Sequence, residues 1–338
     1  MRLFFFKSFY VPTKEWVSMF WVKFLKRFAT ACVAVVLAVG ATGCGGNSSG
    51  ETFLNIATGG TAGTYYPIGG AIADVITKNV KDIGASAQST GASVANINML
   101  NEKQVDMAIV QNDIAYYAIN GTEMFEKKVS GLRGIASLYP ETCQIVTLDG
   151  SGIHSIADLR GKRVAVGAAG SGVEGNMRQI LKAYGMTYKD INAQFLSFAE
   201  AATALKDGTV DAACVVAGYP TASVQDIASK KQIRLLPLDS EKVDSLIAEY
   251  PFYTRTSIPA NTYQGFSAEV PTVSVMAILV TTDRMDEQVG YNVTKAIFDN
   301  VDKLEASHAA AKSIKKETAL NGMNFIKMNE GAEKFLKE

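Results

Sequence analysis

The fold of this chain is decided by a glycine-rich stretch near its start, Gly59-Gly60-Thr61-Ala62-Gly63-Thr64-Tyr65-Tyr66-Pro67-Ile68-Gly69-Gly70. Residues 53–57 form an alternating apolar run, which is typical of a β-strand. Residues 68–80 carry apolar side chains at helical spacing. The sequence therefore predicts a strand, a glycine-rich turn and a helix whose N-terminus favours an anion. A turn without a ligand is the alternative, since the glycine spacing does not match the dinucleotide-binding pattern.

The first 43 residues have the pattern of a secretion signal. Basic residues precede an apolar run over residues 28–39, and Ala41-Thr42-Gly43-Cys44 follows it. The run is shorter than the ~20 residues that a membrane-spanning helix needs. We expect a lipoprotein signal peptide over residues 1–43, lipidation of Cys44, and a flexible tether over residues 44–51. Ordinary cleavage near Gly43, with release of the protein from the membrane, is the alternative.

Charge and cysteine content argue against two classes of function. The chain has 33 basic and 33 acidic residues, of which six basic residues and one acidic residue, Glu15, precede Cys44. The remainder, with 27 basic and 32 acidic residues, has a formal charge of −5 and no basic run, so we expect no nucleic-acid partner. No cysteine–histidine spacing suits zinc, and we expect no metal or cofactor. Cys143 and Cys214 either pair in an oxidising compartment or remain buried free thiols.

The same order of elements occurs twice along the chain. Each run has a glycine turn, a helix, a short strand, a second helix and a strand that begins with Val-Asp, at residues 105–106 and 210–211. This alternation predicts the α/β class, with two lobes that are each a mainly parallel sheet flanked by helices. We expect lobe 1 at residues 52–139, lobe 2 at residues 140–236 and a return to lobe 1 over residues 237–338. The chain would cross between lobes at residues 138–148 and 235–238.

Two facing lobes predict a ligand cleft at the carboxyl ends of their strands. The loops at these ends carry hydroxyls, amides and glycines but neither lysine nor arginine. A carboxylate would therefore be held by backbone N–H groups, helix N-termini and hydroxyls. Ser93 is expected to be the N-cap of its helix. The predicted ligand-binding residues are Thr61, Gly63, Thr64, Tyr65, Tyr66, Ser93, Gln111, Asn112, Asp113, Ser171, Gly172 and Tyr219.

Charged and nucleophilic residues near these loops favour binding over catalysis. Asp113 and Glu174 either receive an ammonium group of the ligand or stabilise the N-termini of their own helices, which is the commoner role. Catalysis is not expected, because His154 and His308 lie outside the loops and no nucleophile lies near a base. Two facing helix N-termini favour a small dicarboxylate or an acidic amino acid, bound without an arginine clamp.

Several motifs together resemble one known family. They are the run at residues 60–70, Ala92-Ser93-Val94-Ala95-Asn96, Ala108-Ile109-Val110-Gln111-Asn112-Asp113, Asp158-Leu159-Arg160-Gly161-Lys162-Arg163-Val164, Gly170-Ser171-Gly172, Tyr250-Pro251-Phe252-Tyr253 and Ile258-Pro259. Over residues 53–304 the chain is similar to the TAXI family, the substrate-binding subunits of tripartite ATP-independent periplasmic (TRAP) transporters. The resemblance implies a two-lobed type II periplasmic-binding-protein fold. It also implies delivery of the solute to TRAP membrane subunits, which a sodium or proton gradient drives.

The resemblance further implies a location and a ligand. The protein would lie outside the cytoplasm, in the periplasm or on the outer face of the cell membrane, and would bind a small carboxylate such as glutamate or 2-oxoglutarate. The family's cleft maps onto residues 61–66, Ser93, residues 111–113 and Ser171-Gly172. The alternative function is a sensing lipoprotein of the same fold that presents its solute to a membrane receptor or kinase. An enzyme on this fold would need a reactive lysine, cysteine or histidine in the loops, and the loops contain none.

Replacing Cys44 by serine is expected to release the protein from membranes, because the acyl chains would then have no attachment point. Two or more acyl chains anchor a protein stably, whereas one anchors it marginally. The measurement is the distribution of the protein between membrane and soluble fractions after ultracentrifugation. Ser48→Ala, in the same tether, should leave the protein in the membrane fraction. A Cys44→Ser protein that still sediments with membranes would show that the expected lipid anchor is wrong.

Overall fold

The first half of the sheet is built by the glycine-rich stretch and the segments that follow it. Its three strands are β1 (Thr52–Ala57), β2 (Ile83–Gln88) and β3 (Met107–Gln111), and they alternate with helices α1 (Tyr65–Asn79), α2 (Ser93–Asn101) and α3 (Asn112–Asn120). The strands are parallel and lie in the order β2-β1-β3. These bounds come from a computed structural model that describes residues 52–338. The predicted signal peptide, the tether and Cys44 therefore lie outside the described residues.

The second half repeats this arrangement. Strands β5 (Arg163–Ala165), β6 (Asn192–Gln194) and β7 (Ala212–Ala217) are parallel and lie in the order β6-β5-β7. Helix α4 (Gly172–Ala183) follows β5, α5 (Phe198–Lys206) follows β6, and α6 (Ala222–Ala228) follows β7. Both halves thus place their first strand between their second and third strands. This confirms the α/β class and the two like-built lobes that the repeated sequence pattern predicted.

Two long antiparallel strands join the halves. Strand β4 (Leu132–Leu148) and strand β10 (Val270–Thr282) pair with each other, while β10 also pairs with β3 and β4 also pairs with β7. The resulting sheet has ten strands, with the main order β2-β1-β3-β10-β4-β7-β5-β6. Two short strands complete it, since β8 (Ile233–Leu235) pairs with β4 and β9 (Thr254–Ile258) pairs with β10.

The second crossing differs from the predicted one. Residues 235–238 do not cross between the halves, because Leu235 pairs with Val146 and the side chains of Leu236 and Leu238 pack in the core of the second half. The chain returns to the first half along β10 instead. The apolar run of residues 272–280 predicts a strand, and the structure shows that this strand crosses between the halves. Residues 52–338 form one compact unit, so the boundaries of the lobes remain a prediction.

The C-terminal part is more broken than its sequence pattern predicts. Helix α7 (Ser240–Glu249) precedes β9, and helices α8 (Glu287–Phe298), α9 (Val301–Ser307) and α10 (Glu330–Lys337) follow β10. The sequence pattern of residues 291–304 predicts one helix, but two form, because Asn300 between them leaves helical geometry at φ −133° and ψ 35°. The pattern of residues 309–320 also predicts a helix, but the 3-10 turns Ala309–Ser313 and Lys316–Thr318 form there instead, since Ile314 between them is extended at ψ 101°.

Apolar side chains cover both faces of the sheet in each half. In the first half Ile109 packs on one face and its neighbour Val110 on the other. In the second half Cys214 and Val215 do the same. Successive side chains of a strand point to opposite faces, so a strand that is covered on both sides has a continuous apolar sequence. Cys143 and Cys214 are buried free thiols.

No helix within residues 52–338 is both long enough and apolar enough to cross a membrane.

Candidate functional site

A small cavity lies where the carboxyl ends of strands from both halves approach each other. It has a volume of ≈ 50 Å³, well below the about 300–1,000 Å³ of clefts for drug-sized ligands. In this conformation it therefore fits only a small solute. The residues that line it are Gly59, Gly60, Gly63, Thr64, Tyr65, Ala92, Ser93, Gln111, Glu141, Gly172, Val173, Phe198, Val216 and Ala217.

Six of the predicted ligand-binding residues line this cavity: Gly63, Thr64, Tyr65, Ser93, Gln111 and Gly172. Helix α1 begins at Tyr65, three residues earlier than the expected start at Ile68. Successive helical residues point in different directions, so Tyr65 is buried whereas Tyr66 is 38% exposed. Contact of these residues with a ligand remains a prediction.

The other predicted residues do not line the cavity. Asn112 accepts a hydrogen bond from the Met276 N–H at 3.1 Å, and Ser171 caps α4 by accepting from the Glu174 N–H at 3.3 Å. Both side chains therefore have structural partners. Thr61 is exposed, and Tyr219 packs on the core of the second half. Asp113 is buried behind the cavity.

Ser93 has a different role from the predicted one. The N-cap of α2 is Ala92, which has the unusual φ of 71°, and Ser93 is the first helical residue. The Ser93 Oγ accepts a hydrogen bond from the Gln111 N–H at 3.1 Å and lies 3.4 Å from the Tyr65 hydroxyl oxygen. The expectation that Ser93 caps its helix is therefore wrong, because its hydroxyl bonds to the end of β3 instead.

Glu141 is the cavity residue that sequence analysis missed. It lies in β4 at the point where that strand changes its pairing from β10 to β7. Its carboxylate is 2% exposed and accepts a hydrogen bond from the Tyr65 hydroxyl at 2.9 Å. Burial raises the pKa of Glu141 well above its usual range, and the charge of Asp113 raises it further, while the hydrogen bond from Tyr65 lowers it. The sequence does contain a signal for this residue, because Glu141 is the one charged residue within residues 134–148.

Buried amides and hydroxyls connect the two halves beside the cavity. The Gln111 side-chain amide donates to Asn176 Oδ1 at 2.9 Å, and Asn176 Nδ2 donates to Asp113 Oδ2 at 2.9 Å. Asn176 Nδ2 also donates to the Tyr253 hydroxyl at 2.7 Å. Thr64 adds a separate link, since its hydroxyl donates to the Gly218 carbonyl at 2.9 Å. These bonds hold the halves in the conformation that encloses the cavity.

Asp113 is an acid buried without a cation. Its side chain is 1% exposed, and its Oδ1 has no hydrogen-bond partner. Burial raises the pKa of Asp113 to about 7, although hydrogen bonds from Asn176 and the backbone lower it. The carboxylates and hydroxyls nearest to it are those of Glu141, Tyr117 and Tyr253, whose own pKa values it helps to raise.

The predicted ammonium sites are not in the cavity. Glu174 forms an ion pair with Arg178 one helical turn further along α4, and Asp113 takes part in the network between the halves. Each lies in the first turn of its own helix, as the commoner interpretation predicted. Within residues 52–338 no group of histidine, cysteine, aspartate and glutamate side chains is arranged to hold a metal ion.

Comparison with known proteins identifies one matching family. The model of the NMT1-like family matches residues 56–338. Among solved structures, the alkanesulfonate-binding protein SsuA from Xanthomonas axonopodis pv. citri, bound to MOPS, has a TM-score of 0.50 at 16% identity, over 85% of this chain and 83% of that chain. A protein from Bordetella bronchiseptica RB50 also has a TM-score of 0.50 at 16% identity, over 85% of this chain and 82% of that chain. These two similarities establish the shared fold.

The raised pKa of Asp113 predicts a pH dependence of stability. The folded protein keeps this proton up to about pH 7, whereas the unfolded chain loses it near pH 4. The stabilisation is therefore fully present below about pH 4 and is lost as the pH rises through about 7. Asp113→Asn should remove up to about 4 kcal/mol of this decline. The measurement is the free energy of unfolding in urea across that pH range.

A surface carboxylate gives the control for this experiment. Asp149 forms an exposed ion pair with Arg234, and Asp149→Asn should leave the pH profile of the parent unchanged. If Asp113→Asn and the parent lose stability equally as the pH rises, the buried Asp113 carboxyl is not the group that titrates.

Proposed function

The chain belongs to the NMT1-like family, and on that basis we propose that it is an extracytoplasmic solute-binding protein for a small carboxylate. In this proposal it captures glutamate, 2-oxoglutarate or a similar dicarboxylate in the cleft and delivers it to a TRAP transporter for uptake. The observation that carries the proposal is the cavity itself, which residues from both halves line at the N-termini of two helices.

The helix N-termini give the cleft its preference for anions. Gly172 and Val173 are the first residues of α4, Thr64 and Tyr65 are at the start of α1, and all four line the cavity. A helix N-terminus favours an anion by ~0.3–1 kcal/mol when exposed and by up to ~2 kcal/mol when partly buried. Micromolar affinity needs about 8 kcal/mol, so further hydrogen bonds of ~1.5–3 kcal/mol each must contribute.

The way in which the halves are joined supports capture and release. Among the strands within residues 52–338, only β4 and β10 place side chains in the cores of both halves. Segments of this kind can act as a hinge that opens the cleft and closes it around a ligand. The polar contacts between Gln111 and Asn176 and between Thr64 and Gly218 would then break when the cleft opens.

The location and the transporter partner are proposed from the sequence. The signal pattern at residues 1–43 and the lipidation pattern at Cys44 favour a protein that is anchored outside the cytoplasm. The resemblance to the TAXI family supports TRAP membrane subunits as the partner. Among the residues that line the cavity there is no lysine, cysteine or histidine, which supports binding rather than covalent catalysis.

A thermal-shift panel is expected to identify a carboxylate as the ligand. Glutamate, glutamine, 2-oxoglutarate and succinate are compared with glucose and leucine, because only a bound solute stabilises the folded chain. At 100 times its dissociation constant a ligand adds about 2.7 kcal/mol of stability. Tyr65→Phe should weaken binding by roughly 0.5–3 kcal/mol through loss of its hydroxyl.

Tyr139→Phe is the matched control, because Tyr139 is also buried, its hydroxyl has no partner and it does not line the cavity. It should bind the ligand as the parent does. A melting temperature that rises only with glucose or leucine would refute the carboxylate ligand. Equal binding by Tyr65→Phe and the parent would place the ligand away from Tyr65.

Deleting the gene for this protein is expected to abolish uptake of the identified solute, since a TRAP transporter depends on its binding subunit. Uptake of labelled solute is measured in cells with and without the gene, and restoring the gene is the control. Unchanged uptake together with loss of a transcriptional response to the solute would favour the sensing lipoprotein and contradict delivery to a transporter.

A further inference from the structure

One part of the cavity wall offers more hydrogen-bond acceptors than donors. Glu141 is 2% exposed, and the hydrogen bond to it comes from Tyr65. Gln111 is 1% exposed and donates its side-chain amide to Asn176, which leaves Gln111 Oε1 buried without a partner. Both side chains line the cavity. A solute that lies against them must therefore supply hydrogen-bond donors.

No basic side chain of the cavity neutralises these acceptors. The residues that line it include no lysine, arginine or histidine. An isolated carboxylate is costly to bury, so a buried acid either keeps its proton or acquires a cationic partner. The charge of Asp113, where it is ionised, raises the pKa of Glu141 further, and no basic side chain that lines the cavity offsets it. A positively charged group of the solute is the cationic partner that this part of the cavity lacks.

A different part of the wall favours an anion. Gly172 and Val173 begin the twelve-residue helix α4 and line the same cavity. The N-terminus of a helix carries partial positive charge and unpaired N–H groups. Gly172 lies next to the unpartnered acceptor, because a Cβ atom on it would be 1.7 Å from Gln111 Oε1. One small cavity therefore combines an anion-favouring helix end with a carboxyl and an amide oxygen that need donors.

We propose that the solute carries an amino group that donates hydrogen bonds to Glu141 and Gln111 while its carboxylate lies at the N-terminus of α4. This inference rests on the proposed function and narrows the solute from small carboxylates in general to amino acids. Glu141 then determines specificity, since it attracts an ammonium and repels a second carboxylate at the same place. Glutamate remains a candidate, whereas 2-oxoglutarate and succinate have no amino group for this part of the site.

A neutral Glu141 that donates a proton to a carboxylate is the competing arrangement. Glutamine at this position distinguishes the two, because its amide keeps an N–H donor but has no charge to pair with an ammonium. Under the competing arrangement Glu141→Gln would bind carboxylates as the parent does. Under the proposed one it would lose affinity for amino acids specifically.

Isothermal titration calorimetry with matched solutes tests the proposal. The purified full chain, freed of copurified ligand by dialysis from denaturant and refolding, is titrated with L-glutamate and glutarate, and then with L-alanine and propionate. The members of each pair differ only in the amino group. In at least one pair the amino acid should bind about tenfold or more tightly than its partner. Glu141→Gln should lower the affinity for that amino acid about tenfold or more without lowering the affinity for its partner.

Tyr139→Phe is again the control and should leave all these affinities as in the parent. Equal binding of both members of each pair would overturn the amino-group inference but leave the carboxylate function intact. Unchanged binding of the amino acid by Glu141→Gln would also overturn the inference.

Binding of ethanolamine together with loss of that binding in Glu141→Gln would support the role of Glu141 and refute the carboxylate function. If no solute of the panel binds, both proposals are refuted. Even if Glu141→Gln does not fold, the affinities of the parent protein for each amino acid and its partner without an amino group test the amino-group inference.

Discussion

The antiparallel pair of β4 and β10 is the constraint on which the rest of the structure depends. The pair runs from Ser274 opposite Thr142 to Thr282 opposite Leu132, so one antiparallel ladder, with register shifts after Ala277 and Leu279, carries both halves of the sheet. Each strand also pairs with the last parallel strand of one half, β10 with β3 and β4 with β7. Because the halves are hydrogen-bonded to the same pair, the carboxyl ends of their strands face one region. The cavity lies there, and β4 places Glu141 in its wall where the strand changes partners.

Buried acids without cations distinguish this cleft from an ordinary hydrophobic core. Glu141 and Asp113 are both almost fully buried, and their polar neighbours are amides and hydroxyls rather than basic side chains. Such groups are costly to bury unless they are protonated, hydrogen-bonded or paired. The hydrogen bonds from Gln111 to Asn176 and from Asn176 to Asp113 offset part of the free energy of burying these groups. The same bonds connect the two halves beside the cavity. In the proposed function, specificity and closure therefore depend on the same few side chains.

Family membership and cavity chemistry address different questions about function. The match to the NMT1-like family covers residues 56–338, and the similar solved structures share the fold at 16% identity. At that identity the similarity shows the fold alone, so the chemistry of the solute has to be argued from this chain's own cleft. Helix ends and acceptor groups within one small volume favour a small solute with opposite charges at its two ends.

The sequence by itself determined the α/β class, the internal repeat and six of the cavity residues, because these follow from local periodicity and glycine turns. Alternating patterns specify which residues face a core, and a strand–glycine turn–helix unit exposes its loop at the carboxyl end of the sheet. Only the tertiary structure decided that β10 makes the second crossing, that Ser93 bonds to Gln111 rather than capping its helix, and that Glu141 enters the cleft. The physical reason is that each of these depends on partners more than ten residues away along the chain. Tyr65 and Glu141 are 76 residues apart and meet only because the sheet brings their elements together.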